Sequence, residues 1–212
     1  MLVTKMNEGD IKVPDLFNEK SKDWDANDMV KSISSAVGST VVEHVPLHAQ
    51  MEVMDFGAGT GLISSHVAPL VHKIVAVDIS KAMLDKLVAK AGLHGKVEAV
   101  CQDITIEPLN TQFDLIISAM ALHHIEDTQQ LMRTFSEHLK PGAMIALADL
   151  DKEDGSFHPK DTDGVFHSGF DRDSLKTILE DSGFENIQFF TAHTVYKEEK
   201  KYPIFLVVAT KS

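Results

Sequence analysis

Apolar residues along this chain fall by turns into short continuous runs and into sets spaced three and four apart. Val53–Phe56, Lys73–Asp78, Val97–Cys101, Phe113–Ser118 and Ala143–Ala148 are short, mostly apolar and bounded by polar residues, which predicts buried strands. Between them the spacing turns helical: from Leu62 onward, then Met83, Leu84, Leu87 and Val88, then Leu131, Met132, Phe135 and Leu139, and last Leu175, Ile178 and Leu179. Ser80, Asp127 and Asp171 stand where N-caps belong, Pro141-Gly142 stops a helix running through Lys140, and Gly183 closes the last one. Two further runs, Ile187–Val195 and Ile204–Thr210, have no room for a crossover helix between them and are expected to pair antiparallel.

Before the first strand, residues 12–37 read as a lid or entry helix. Phe17, Trp24, Met29, Val30 and Ile33 supply its apolar contacts, and Ala26-Asn-Asp28 is a helix start. Pro46 and His48-Ala-Gln50 mark the join to the sheet.

The chemistry starts where the first strand ends. Met51–Gly61 reads MEVMDFGAGTG, a strand running into Gly57, Gly59 and Gly61 and then a helix. Such a turn offers backbone N–H groups and a positive dipole end to a ligand. The next strand ends in Asp78, seventeen residues after Gly61, placed to accept hydrogen bonds from ribose hydroxyls in a βαβ unit. Position 62 is leucine, so the spacing is G-x-G-x-G and not the G-x-G-x-x-G of dinucleotide sites. Asp55, two residues before the first glycine, suits a cationic ligand better than a pyrophosphate.

Asp55-Phe-Gly-Ala-Gly-Thr-Gly61 together with Val77-Asp78-Ile-Ser80 resembles motifs I and II of the class I S-adenosylmethionine-dependent methyltransferases. The resemblance extends over nearly the whole chain. It implies a Rossmann-like α/β fold: seven strands, mostly parallel, antiparallel at the C-terminal end, with helices on both faces. It also implies S-adenosylmethionine as cofactor and S-adenosylhomocysteine as product. Asp55 with Gly57, Ala58, Gly59, Thr60 and Gly61 would hold the methionine part, Asp78 the ribose, and Ile79, Met83, Asp103 and Ile104 the adenine. Trp24 would close over the cofactor, and Ala119 would stand where the fourth strand meets it. The family often carries a leucine–histidine–histidine sequence after that strand, here Leu122-His123-His124, where the chain passes the methyl group. Histidine suits removal of an acceptor proton near neutral pH, and His123 is favoured over His124 because neighbours in a turn point different ways.

One domain is expected over 1–212: an N-terminal lid and helix over 1–45, a cofactor core over 51–151, a loop over the site at 152–170, and a C-terminal helix and hairpin over 171–212. The formal net charge of −12 disfavours nucleic acid as acceptor, since phosphate neutralisation needs clustered Lys and Arg. A small-molecule acceptor is the better reading. No apolar run reaches the about 18 residues of a membrane span, and MLVTKMNEGD lacks a signal pattern. Cys101 is the only cysteine, so an internal disulfide is impossible and the default location is cytoplasmic. Nothing selects an oligomeric state, and a homodimer stays open.

The segment 149–173 mixes acids, glycines and histidines without a period, as a loop over strand ends does. His158, Asp161, Asp163 and His167 match no short metal-ligand spacing, so no metal is expected and these residues are read as lid or acceptor contacts. Their acids lean toward a cationic or hydrogen-bonding acceptor. Two rival readings stay open here: a non-catalytic S-adenosylmethionine-binding interaction protein, and a nicotinamide-dependent oxidoreductase, which the glycine spacing opposes.

Overall fold

The computed structural model describes residues 17–159 and 162–212. The part of the expected lid before residue 17, and Asp161, lie outside the described residues.

Seven strands form one sheet: β1 (Glu52–Phe56), β2 (Lys73–Asp78), β3 (Val97–Cys101), β4 (Phe113–Ala119), β5 (Leu139–Leu150), β6 (Phe184–Lys197) and β7 (Lys200–Lys211), in the order β3-β2-β1-β4-β5-β7-β6. The pairs β1–β2, β2–β3, β1–β4 and β4–β5 are parallel. β7 is antiparallel to both β5 and β6. The chain therefore moves outward from β1 to β3 and returns to β4 on the other side of β1. That reversal opens a crevice at the carboxyl ends of β1 and β4, where open α/β sheets bind ligands.

Side chains of consecutive strand residues enter opposite layers. Val53, Ile74, Leu115 and Ile117 pack with Ile33, Val37 and Val41 of α1 (Asp28–His44), Ile63 and Val67 of α2 (Leu62–Val67) and Leu84 and Leu87 of α3 (Lys81–Val88). Met54, Phe56, Phe113 and Ile116 face the other way, onto Leu131 and Phe135 of α4 (Thr128–Glu137) and Leu175 and Leu179 of α5 (Arg172–Asp181). The N-caps of α1, α3, α4 and α5 are Asn27, Ser80, Asp127 and Asp171, each accepting from a first-turn amide.

Three boundaries differ from the sequence expectation. Helix α4 ends at Glu137, not Lys140, because Leu139 already pairs with Phe113 in the sheet. β5 is correspondingly longer than Ala143–Ala148: Pro141-Gly142 forms an irregularity inside it, between the Phe113–Leu139 and Leu115–Met144 pairs. The terminal hairpin extends beyond Ile187–Val195 and Ile204–Thr210 to a two-residue turn at Glu198-Glu199, with Glu198 at φ 52°. Its charged tip hides the strand periodicity. Among the described residues no helix is long and apolar enough to cross a membrane.

Candidate functional site

At the tip of β1 the chain makes a turn that only glycine accepts easily. Gly57 has φ 64°, and a Cβ there would stand 2.5 Å from the Ala121 Cβ. The turn is held by its neighbours: the Ala58 amide donates to the Val77 carbonyl at 3.1 Å, and the Gly59 amide donates to Asp78 Oδ2 at 2.8 Å. The other oxygen of Asp78 accepts from the Ser80 amide at 2.7 Å. One carboxylate thus fastens the glycine turn to the start of α3. Burial pushes the Asp78 carboxyl up, against these amide bonds.

Asp55 is buried, and its Oδ2 accepts from Ser64 Oγ at 2.6 Å. Burial pushes its carboxyl up to about 7; the Ser64 bond pulls it down and the Asp78 charge adds to the rise. Among the described residues no Lys, Arg or His pairs with it. A desolvated carboxylate beside an open glycine turn fits the ammonium end of an amino acid.

Of the residues expected at the adenine, Ile79 is partly exposed, while Met83 and Ile104 are buried in the layers beneath the crevice. Asp103 forms a turn at the tip of β3, where its Oδ1 accepts from the Thr105 amide at 2.9 Å. Ala119 ends β4. Trp24 lies on the 3₁₀ turn Ser21–Ala26. Sequence reading did not foresee how this segment is strapped down: Thr60 Oγ1 donates to Asp25 Oδ1 at 2.5 Å, Lys90 pairs with Asp25 at 2.8 Å, and Ser80 Oγ donates to Asn18 Oδ1 at 2.8 Å.

Beyond β4 the backbone turns sharply at Met120, φ 58°, whose amide donates to the Ala148 carbonyl. This puts the 3₁₀ turn Leu122–His124 beside the tip of β5. There His123, 1% exposed, places Nδ1 2.7 Å from Asp149 Oδ1, and its amide donates to Asp149 Oδ2 at 3.2 Å. A carboxylate only accepts, so Nδ1 carries a proton and Nε2 is the ring nitrogen left without a partner. His123 Nε2 is buried with no hydrogen-bond partner among the described residues, and so is His158 Nε2.

The two adjacent histidines do not point apart as expected. Their ring centroids are 4.1 Å apart, and His158 stands 5.0 Å from His123 and 6.2 Å from His124. His124 donates from Nδ1 to the Gly164 carbonyl. Burial, with the charge of His123, holds His124 down at about 4. Burial likewise holds His158 down at about 4, helped by His123, Lys197 and Lys20. Both are neutral rings near pH 7.

A roof closes over this cluster. The Phe166 and His167 amides donate to the His123 carbonyl at 2.9 and 3.3 Å. The segment then pairs with the end of β5 through Lys152 to Phe170, Phe170 to Leu150 and Glu153 to Ser168. Gly169, φ 70°, permits the approach: a Cβ there would lie 2.2 Å from the Asp151 carbonyl oxygen. His167 turns away, its Nε2 2.9 Å from the Ile125 carbonyl. Asp163 is exposed, and among the described residues no group of three or more His, Cys, Asp or Glu has the geometry to hold a metal. Two surface grooves lie apart from the cluster, one of about 190 Å³ at the opposite ends of β1–β3 and one of about 340 Å³ on the outer side of the roof.

Comparison with known proteins bears on what this crevice holds. A family model described as a methyltransferase domain matches residues 31–189. An uncharacterized methyltransferase of Schizosaccharomyces pombe is 32% identical over 171 residues, a stretch covering 72% of this chain and 60% of the yeast protein. Among solved structures, a SAM-dependent methyltransferase from Aquifex aeolicus superposes with a TM-score of 0.69 at 22% identity, covering 92% of this chain and 98% of its own. The DhpI–SAH complex superposes with a TM-score of 0.72 at 18% identity, covering 93% and 94%.

Proposed function

The chain belongs to the class I S-adenosylmethionine-dependent methyltransferases, and on that premise we propose that it transfers the cofactor's methyl group to a small-molecule acceptor whose proton is taken by His123. S-adenosylmethionine supplies a methyl group on a positively charged sulfur, activated for in-line displacement. What this chain must add is a dry, oriented site for the incoming nucleophile, worth up to about 7–11 kcal/mol in well-aligned cases.

The pairing of buried His123 with buried Asp149, Nε2 left free, carries the proposal. Asp149 fixes the tautomer and steadies the ring once it has gained a proton. The neutral rings of His124 and His158 flank Nε2 without adding charge. The roof over His123 restricts access, which favours a small acceptor over a macromolecule; the overall charge of −12 points the same way.

Asp55 suits the methionine ammonium, and the Gly57–Gly61 turn, with Ala58, Gly59 and Thr60, the adjoining chain. Asp78 keeps lone pairs for ribose hydroxyls, and Asp103, Ile79 and Ile104 border the adenine, with Met83 packed below. Ala119 and Trp24 would lie at the methyl and lid sides. A location in the cytoplasm belongs to the same reading.

Calorimetric titration with S-adenosylhomocysteine tests the cofactor half, with Asp78→Ala as the weakened control. A screen of protic acceptors with labelled S-adenosylmethionine tests the chemistry. His123→Ala is expected to lower kcat by about 10²–10⁴ with cofactor binding retained. Turnover unchanged in that variant would refute the assigned base, and tight binding with no turnover of any acceptor would leave a binding protein.

A further inference from the structure

Two lysines approach the histidine cluster from different elements, each across an aromatic ring. Lys20, half-buried on the N-terminal segment, has its ammonium 5.3 Å from the centroid of Phe17, and Phe17 meets His124 edge-on at 5.1 Å. Lys197, at the end of β6, holds its ammonium 3.9 Å over Phe157, and Phe157 meets His158 edge-on at 5.0 Å. Lys197 Nζ also donates to the Phe157 carbonyl. Burial lowers the ammonium pKa of both lysines.

Neither has a carboxylate within ion-pairing distance among the described residues, whereas nearby lysines do: Lys22 pairs with Glu19 and Lys200 with Asp154, each at 2.7 Å. Several acids around the cluster are already engaged. Asp151 takes Arg172 through two bonds of 2.7 and 2.8 Å, Asp154 takes Lys200, and Glu153 accepts from the Ser156 and Phe157 amides. Asp149 is occupied by His123 and by the Leu150 amide.

Within a chain of net charge −12, the flanks of the cluster thus carry two ammonium groups that make no ion pair among the described residues, with the Glu153 charge acting on Lys197 from beyond ion-pairing distance. An ammonium withdrawn from water costs free energy unless an anion meets it. Cationic groups beside a largely buried cluster also concentrate anions.

We propose that the acceptor carries an anionic oxygen group, a carboxylate or a phosphate, bound by Lys20 and Lys197 while its reacting atom lies at His123 Nε2. This deepens the methyltransferase reading and rests on it. The lysines position the acceptor and take no proton from it. Their attraction also lowers the cost of forming a nucleophile next to the neutral rings of His124 and His158.

The test uses protein loaded with S-adenosylhomocysteine and three probes of similar shape: phenyl phosphate, benzoate and uncharged benzyl alcohol. Binding is read from the imidazole proton resonances of His124 and His158. Saturable shifts are expected with phenyl phosphate, benzoate or both, and none with benzyl alcohol at equal concentration. Lys20→Gln and Lys197→Gln should each weaken the anion response about tenfold, the scale of one hydrogen bond to a charged group. An equal response to benzyl alcohol, no response to either anion, or an anion response unchanged in the double variant would overturn the proposal. Loading is verified separately by calorimetry. Failure to bind S-adenosylhomocysteine in the unmodified protein would instead defeat the parent reading, and retained binding in the variants shows that they fold.

Discussion

Replacing Asp55 by asparagine isolates the cost of keeping a carboxylate in the floor of the crevice. The side chain is almost fully buried and burial carries its carboxyl from an ordinary value of 3.8 to about 7. A difference of that size between folded and unfolded chains corresponds to about 4 kcal/mol. The sign follows from which state gives up the proton first. Between pH 4 and 7 the unfolded chain ionises readily and the folded one resists, so the contribution is complete below the unfolded value and is lost as pH rises through about 7. Asparagine has no such dependence. Its amide must find a partner in a buried place, which adds a pH-independent penalty of about 1–3 kcal/mol. The variant is therefore expected to be the less stable protein near pH 4 and to gain on the wild type by up to about 4 kcal/mol as pH passes 7. Urea denaturation across that range measures this directly. With saturating S-adenosylhomocysteine the ranking should reverse at high pH, because a ligand ammonium restores the worth of the charge. A stability difference that stays flat with pH, or an unliganded wild type that gains on the variant as pH rises, would refute the reasoning.

Three other substitutions separate folding from binding at the same floor. Gly57→Ala meets the Ala121 Cβ in a left-handed backbone and should cost about 1–3 kcal/mol, whereas Gly59→Ala (φ 53°) meets nothing within 4 Å and should cost about 1–2 kcal/mol. If the backbone there lies against the cofactor, calorimetry will show Gly59→Ala losing affinity out of proportion to its stability; unchanged affinity would count against it. Thr60→Val removes the bond to Asp25 and should speed S-adenosylhomocysteine release about tenfold in stopped-flow traces, with little change in urea midpoint. An unchanged release rate would mean that the N-terminal segment does not gate the crevice.

The order of elements was legible because each run of strand residues is bounded by a cap or a breaker. Ser80, Asp127 and Asp171 cap the helices that the spacing predicts. The glycine turn and Asp78 were legible as a pair, since their separation is that of one βαβ unit. Their direct link, Gly59 to Asp78, was not, because it depends on the register of β1 against β2. The histidine cluster was legible in part. His123 and His124 announce themselves, but Asp149 becomes the partner of His123 only once β5 is laid beside β4, and a left-handed Met120 has no sequence mark. An acid at the tip of the strand next to a histidine turn is the signal that would have found it. Lys20 and Lys197 are still harder to foresee. Each lies in a polar stretch that reads as a solvated surface, and what distinguishes them is an aromatic ring shared with the histidine cluster, a property of three dimensions.

The amides of Phe166 and His167 close on the carbonyl of the same residue whose imidazole faces the chamber. On the proposed assignment of His123 as base, roof and base are one mechanical part. A movement that opens the chamber to solvent pulls on His123 and disturbs its alignment with Asp149. On that assignment, proton abstraction belongs to the arrangement in which the roof is in place. An alkylating sulfonium is a hazard to any passing nucleophile, water included, and a base that comes into line only under its cover makes wasteful transfer slow without a separate safety device.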